Sequence, residues 1–290
     1  MENRHGSRQL VPLEKEVISG ISSAFITSFV VHPLDLVKLR LQLLPVQKPT
    51  PRLNTYRYVL RSLFKDNKGI SALYRGLGIN LIGNSVAWGL YFGFYRFSKD
   101  FLKQNTNFNN DSLIYLTSGT MSGLITSLLT NPIWVIKTRM MATNRSQAIS
   151  NRTILSSVKS IIKNESYKSF SKGLLPSLLS VSQGGIYFMV YDTIKKKYGL
   201  ENDFKNYQII LTSSCSKMVS VSIVYPLQVI KSNLQSPQGR NFHSSMKLMA
   251  QIYNLNGLHG LYSGLATNLF KAIPTTCLTF CLYENFKYIL

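Results

Sequence analysis

Carboxylates are scarce in this chain: 12 Asp and Glu stand against 33 Lys and Arg, a formal net charge of +21 over 290 residues. So few acids leave no carboxylate pair at helical spacing for acid–base work. The cation excess asks for anionic partners: nucleic acid, anionic lipid or an anionic solute. Charge of either sign is sparse too. At 16%, the charged fraction lies well below the ~25% of soluble domains. A basic, charge-poor chain fits a membrane protein with anionic ligands better than a nucleic-acid binder, whose bases gather on one polar face. Only three cysteines occur, Cys215, Cys277 and Cys281. They lie in apolar stretches without metal-ligand spacing and read as small packing residues. Among His5, His32, His243 and His259 no zinc pattern forms, and no glycine-rich phosphate loop appears. An enzyme, a metal site and a soluble cofactor are therefore not expected. The first fourteen residues are short and polar and lead straight into an apolar segment, unlike a secretory signal or a long amphipathic presequence.

What the chain does have is self-similarity. Pro33-Leu-Asp35-Leu-Val-Lys38-Leu-Arg40 returns as Pro132-Ile-Trp134-Val-Ile-Lys137-Thr-Arg139 and again as Pro226-Leu-Gln228-Val-Ile-Lys231-Ser-Asn233. Each proline closes an apolar stretch that begins near Val17, Leu113 or Ile209. Thirteen residues earlier stands a small residue, Gly20, Gly119 or Ser213, and Ala24 and Gly123 follow at i+4 in the first two copies. Such ridges let membrane helices approach closely. A second series runs in step. Tyr74-Arg75-Gly76, Ser171-Lys172-Gly173 and Tyr262-Ser263-Gly264 precede stretches ending in Tyr95-Arg96-Phe-Ser-Lys99, Tyr191-Asp192-Thr-Ile-Lys195 and Tyr283-Glu284-Asn-Phe-Lys287.

Each unit reads as helix, polar connection with a short amphipathic helix, helix. Spans of about 20 apolar residues suit a bilayer core, and six are expected, at 15–42, 77–103, 112–141, 174–198, 206–235 and 265–290. The chain is thus read as one transmembrane domain, 1–290, with repeats at 15–103, 112–198 and 206–290. The stretch from Pro45 to Arg57 is hydrophilic and should lie outside the bilayer. A soluble helical array fits poorly, because several segments are too continuously apolar.

The Pro-x-acid-x-x-Lys/Arg motif, followed in each repeat by aromatic-basic-Gly and then aromatic-acid-x-x-basic, resembles the signature of the mitochondrial carrier family over nearly the whole chain. The resemblance implies an all-α membrane protein: three pseudo-repeats, each two spanning helices plus a short matrix helix, forming a barrel around one central cavity. It further implies a multi-pass protein of the inner mitochondrial membrane, working as a monomer, with both termini toward the intermembrane space. Cardiolipin is the lipid expected near Arg75 and Lys172.

Proline inside a helix removes a backbone donor and bends the helix, so Pro33, Pro132 and Pro226 can bring three helices together. Ionisable groups deep in a membrane are costly and are usually paired or functional. Asp35, Lys38, Lys137 and Lys231 are therefore candidates for a gate on the matrix side. By resemblance each acid partners the base of the next repeat, so Asp35 would meet Lys137. Two acid positions depart from the pattern. Gln228 is expected to hydrogen-bond Lys38, and Trp134 to offer a cation–π contact to Lys231. Excess positive charge at the cavity floor suits an anionic solute. On the intermembrane side, near Tyr95, Tyr191 and Tyr283, Asp192 and Glu284 would pair with Lys287 and Lys99. Arg96 stands where the first acid belongs and would face Lys195.

Solute is expected to bind mid-cavity on the even helices: Asn80, Asn84, Trp88 and Tyr91 in the first repeat; Ser180, Gln183 and Tyr187 in the second; Lys271, Thr275 and Thr279 in the third. Amides, hydroxyls and rings suit a planar heterocycle, and Lys271 and Arg139 suit carboxylate or phosphate. Lys217, mid-membrane, is a further candidate. Within the family, Trp134 in the acid position, Ala87-Trp88-Gly-Leu-Tyr91-Phe92 and Ser216-Lys217-Met218 resemble the folate, flavin and nucleotide branch. That likeness implies FAD as the solute, with folate, NAD and pyrimidine nucleotides left open.

Overall fold

The computed structural model describes residues 12–44, 55–65, 73–105, 111–143, 153–198, 206–242 and 244–289. Most of the polar stretch from Pro45 to Arg57, and the residues before Pro12, lie outside the described residues. The chain is all-helical and built from three like units. The first contributes α1 (Pro12–Leu43), α2 (Thr55–Lys65) and α3 (Leu77–Asn105). The second contributes α4 (Asp111–Ala142), α5 (Ile154–Glu165), α6 (Leu174–Leu179) and α7 (Gln183–Lys197). The third contributes α8 (Asn206–Gln235), α9 (Ser245–Leu261) and α10 (Leu265–Ile289).

Five described segments are long and apolar enough to cross a membrane, at 18–43, 113–142, 167–197, 208–235 and 245–289. The sixth span, α3, has the length, at 29 residues, but Asn80, Asn84, Arg96, Lys99, Asp100 and Lys103 dilute its apolar content. Six spanning helices thus surround a central cavity. The fourth is not one α-helix: a 3-10 turn at Ser180–Ser182 separates α6 from α7. Two serines of the turn bond back onto the chain. Ser180 Oγ donates to the Pro176 carbonyl at 2.6 Å and Ser182 Oγ to that of Leu179 at 2.7 Å, competing with the backbone ladder.

The main seams run between repeats: α3 lies on α4, α7 on α8, and α10 on α1, which closes the ring. A ridge of small hydroxyls makes these seams close. Ser19, Ser23 and Thr27 on α1, Ser118, Ser122 and Thr126 on α4, and Thr212, Ser216 and Ser220 on α8 are all buried, at matching i, i+4, i+8 positions. The buried ridge therefore falls one residue before the small series expected from sequence. Gly123 still packs tightly, since a Cβ there would sit 2.8 Å from Val181, but Gly20 faces open space. Several hydroxyls turn inward onto their own helices, as when Ser122 donates to the Ser118 carbonyl and Ser216 to that of Thr212. Among the described residues, Ser19, Ser118 and Thr126 of the same ridge are buried with no hydrogen-bond partner for their hydroxyls.

Pro33, Pro132 and Pro226 each lie inside a continuous helix. The residue before each is tied to the loop that starts the even helix of the same repeat. His32 Nε2 meets the Arg75 carbonyl at 3.0 Å, Asn131 Nδ2 donates to the Lys172 carbonyl at 3.3 Å, and the Tyr225 hydroxyl donates to the Ser263 carbonyl at 3.0 Å. The glycine that follows each carbonyl has positive φ: Gly76, Gly173 and Gly264, at 80°, 72° and 85°. That conformation favours glycine, and a Cβ on Gly264 would also crowd the Tyr225 hydroxyl at 3.0 Å. Aliphatic cores form at the same end. Leu36 and Leu41 pack with Val59 and Leu63 of α2, Val135 and Ile136 with Ile161 of α5, and Val229 and Ile230 with Leu248 and Ile252 of α9. Farther along, large side chains such as Ile21, Phe25, Leu128, Ile210 and Phe280 are exposed, as a lipid-facing surface requires.

Candidate functional site

Below their prolines, α1, α4 and α8 converge on a hollow of about 300 Å³ lined by Asp35, Lys38, Trp134, Lys137, Gln228 and Lys231, among others. Each helix delivers its second and fifth residues after the proline inward, because three positions along a helix share one face. Gln228 Oε1 accepts from Lys38 Nζ at 3.4 Å, a long bond, and Gln228 Nε2 donates to Gln183 Oε1 at 3.3 Å. The expected Lys38–Gln228 contact is present, and it links α1, α8 and the start of α7.

Two expected contacts are replaced by others. Asp35 forms its ion pair with Lys271, not Lys137; α10 lies along α1 and carries Lys271 to the carboxylate. Trp134 lies beneath Lys137 of its own helix, 4.8 Å from ring centroid to Nζ, rather than beneath Lys231. The indole N–H is held by Thr130 Oγ1 at 3.1 Å, one turn back, which fixes the ring close to its own backbone. Lys231 instead donates to Ser177 Oγ at 2.8 Å, and Ser177 in turn bonds Ser127 at the same distance.

Arg139 does not face the solute cavity. It is buried and paired with Glu165 at the end of α5, its side chain and that of Glu165 only 5% and 7% exposed. Arg139 Nε also donates to the Gln235 carbonyl at 2.7 Å. Burial alone would raise the Glu165 carboxyl, but the hydrogen bonds and charge of Arg139 outweigh it and hold that carboxyl below the usual glutamate range. The guanidinium is a structural clamp, with no face left for an anionic solute.

Beneath the lysines lies a layer the sequence reading missed. Gln42 Nε2 donates to the Tyr225 hydroxyl at 3.2 Å, and Gln42 Oε1 accepts from Ser232 at 2.8 Å, tying α1 to α8. Gln235 Oε1 accepts from Thr138 and its Nε2 donates to Asn131 Oδ1, both at 3.2 Å, tying α8 to α4. Both glutamines stand nine residues after a proline, where the second repeat has Met141, so carrying the repeat register past Arg40 would have revealed them. Ser177 carried no such signal.

Above the floor the even helices present the expected polar and aromatic series. On α3 the Tyr91 and Tyr95 rings stack at 6.2 Å and Trp88 sits edge-on to Tyr91 at 6.0 Å. Tyr187 and Tyr191 stack at 6.2 Å on α7. Trp88 is 61% exposed, whereas Asn80 is buried. Ser180 borders the floor hollow. Thr275 Oγ1 donates back to the Lys271 carbonyl, and Thr279 reaches Thr27 of α1 at 3.3 Å. Lys217 is exposed on α8. At the far end the expected ion pairs do not occur among the described residues. Asp192 and Glu284 are exposed, and among the described residues neither is joined to Lys287 or Lys99. Lys287 lies over Tyr283, 5.9 Å from the ring centroid. The odd helices thus converge at the proline end, while the acids of the other end are exposed.

Comparison with known proteins matches the chain three times to the family described as mitochondrial carrier protein, over residues 10–106, 109–202 and 202–290. It is 42% identical to the mitochondrial FAD carrier protein of Saccharomyces cerevisiae, over 97% of this chain and 98% of that one. It is 31% identical to mitochondrial nicotinamide adenine dinucleotide transporter 1 of the same yeast, over 97% of this chain and 79% of that one. It is also 30% identical to the chloroplastic folate transporter 1 of Arabidopsis thaliana, over 92% of each.

Proposed function

Because this chain belongs to the mitochondrial carrier family, a multi-pass family of the inner mitochondrial membrane, we propose that it carries FAD across that membrane by alternating access. The observation that carries the reading is the cationic hollow of Lys38, Lys137 and Lys231 beneath the aromatic and amide columns of α3 and α7. The 42% identity to a yeast FAD carrier supports the same solute. The diphosphate has ammonium groups to meet, and the isoalloxazine and adenine have Trp88, Tyr91 and Tyr187 to lie against. Folate and nicotinamide dinucleotide are the alternative solutes, favoured by the likeness to carriers of those names.

In this reading the proline end faces the matrix and is closed, and both termini face the intermembrane space. Pro33, Pro132 and Pro226 aim the three odd helices at the gate. Solute entering from the open end competes for Lys271 and the floor lysines, loosening the Asp35–Lys271 pair and the Lys38–Gln228 bond. A ligand shifts such an equilibrium only through its differential affinity for the two states. Tyr95, Lys99, Tyr191, Asp192, Lys195, Tyr283, Glu284 and Lys287 then come together to close the opposite end. The chain acts as a monomer, and cardiolipin sits at the loops near Arg75 and Lys172, where anionic headgroups meet bases. Protein reconstituted in liposomes is expected to take up FAD, and uptake of folate or a nucleotide with none of FAD would overturn the assignment.

A further inference from the structure

Three ammonium groups face one hollow, and among the described residues none of them has a carboxylate of its own. Lys38 meets the Gln228 amide, Lys137 lies over the Trp134 ring, and Lys231 meets the Ser177 hydroxyl. Asp35, the one acid lining the hollow, is engaged by Lys271. Neutral partners satisfy hydrogen-bond geometry but leave one carboxylate, Asp35, to offset several lysines in a low-dielectric setting. The two positions whose register matches Asp35 hold Trp134 and Gln228, so the deficit is written into the sequence.

We infer that this hollow is an anion site for a phosphate-type group, which takes the place of the two missing gate carboxylates. At about 300 Å³ the hollow has room for a diphosphate together with some water. Three mobile ammonium donors suit tetrahedral oxyanions, since each acts as a point charge that turns toward whichever oxygen is nearest. The anion has two possible sources: the diphosphate of the transported solute, pushed to the floor, or free inorganic phosphate or pyrophosphate. The proposal deepens the carrier reading of the same hollow and rests on it. It adds that the bound anion bridges the floor lysines, which the Asp35–Lys271 pair leaves without a carboxylate of their own.

Thermal unfolding of the purified full chain in detergent tests this, with pyrophosphate, FAD and riboflavin as probes against a chloride background of equal ionic strength. Pyrophosphate or FAD near saturation is expected to raise Tm by at least about 3 °C, and riboflavin, which has no phosphate, to leave it unmoved. Gln228→Glu puts a carboxylate against Lys38, and it should raise Tm without ligand and shrink the phosphate-dependent rise. Lys231→Gln should shrink that rise by removing a donor, and stands in if Gln228→Glu does not fold. A rise with both probes, or with FAD alone, that is lost in the variants assigns the site to the solute's diphosphate. A rise with pyrophosphate but not FAD assigns it to free phosphate and defeats the FAD reading, while the site stands. No rise with either probe, or a rise undiminished in the variants, overturns the proposal.

Discussion

The two ends of the barrel carry the same threefold chemistry and use it in opposite ways. At the proline end, Lys38, Lys137 and Lys231 are gathered over one hollow and underpinned by Gln42, Gln235 and the Arg139–Glu165 clamp. At the other end Asp192 and Glu284 stand in the open, and the ion pair joining α3 to α4 there, Lys103 to Asp111 at 4.0 Å, is exposed on both sides and worth little. Stability is therefore concentrated where the aliphatic cores and buried polar bonds are, and the wide end is held mainly by its seams. Under the alternating access proposed above both ends take turns at closing, and the wide end is then the one whose contacts form only transiently.

The sharpest way to break the contrast is at the clamp. Arg139→Ala takes from Glu165 its buried partner and leaves only the half-exposed Arg240 at 3.5 Å, a loss that costs at most about 3–5 kcal/mol. A large fall in unfolding temperature is expected, and an unchanged value would show that the proline end is not the stable one. Next come the floor lysines. Lys38→Ala, Lys137→Ala or Lys231→Ala should cut uptake by more than about tenfold, equivalent to ~1.4 kcal/mol. Each should leave unfolding temperature level or higher, because one like charge has been removed; normal uptake by all three would discard the gate. The acid limb of stability should be gentler. Glu165 has a depressed carboxyl pKa in the folded state, so its contribution is complete above the ordinary glutamate value of ~4.3 and drains away as pH falls through the lower folded value. Glu165→Gln should flatten that limb, and an identical pH profile would contradict the clamp. The smallest effect is reserved for the wide end: Glu284→Gln should not move the unfolding temperature beyond error, and a marked drop would erase the difference between the ends.

Much of this was legible because a repeated sequence repeats its geometry. The register of Pro33, Pro132 and Pro226 located the spanning helices, the lysine floor and the Lys38–Gln228 contact. What the register could not supply was partner choice. Asp35 takes Lys271 because α10 packs along α1, a closure between the two ends of the chain that no local pattern encodes. Arg139 reads like a solute ligand until α5 is seen to bring Glu165 against it. Trp134 prefers Lys137 one turn away over Lys231 on another helix. The break at Ser180–Ser182 falls where Pro176, Ser180, Ser182 and Gln183 interrupt the hydrophobic run, a signal that the expected span 174–198 read through.

The Asp35–Lys271 pair has a bearing on how the protein is made. Its partners are 236 positions apart in the chain, on the first and last spans. An assembly intermediate that lacks α10 leaves Asp35 without its ion-pair partner, with Lys38 and Lys137 alone of the early spans to offset its charge. Biogenesis therefore favours withholding the opening span from full commitment to lipid until the closing span is beside it. A nascent chain truncated before α10 should remain a client of whatever machinery shelters unfinished membrane proteins.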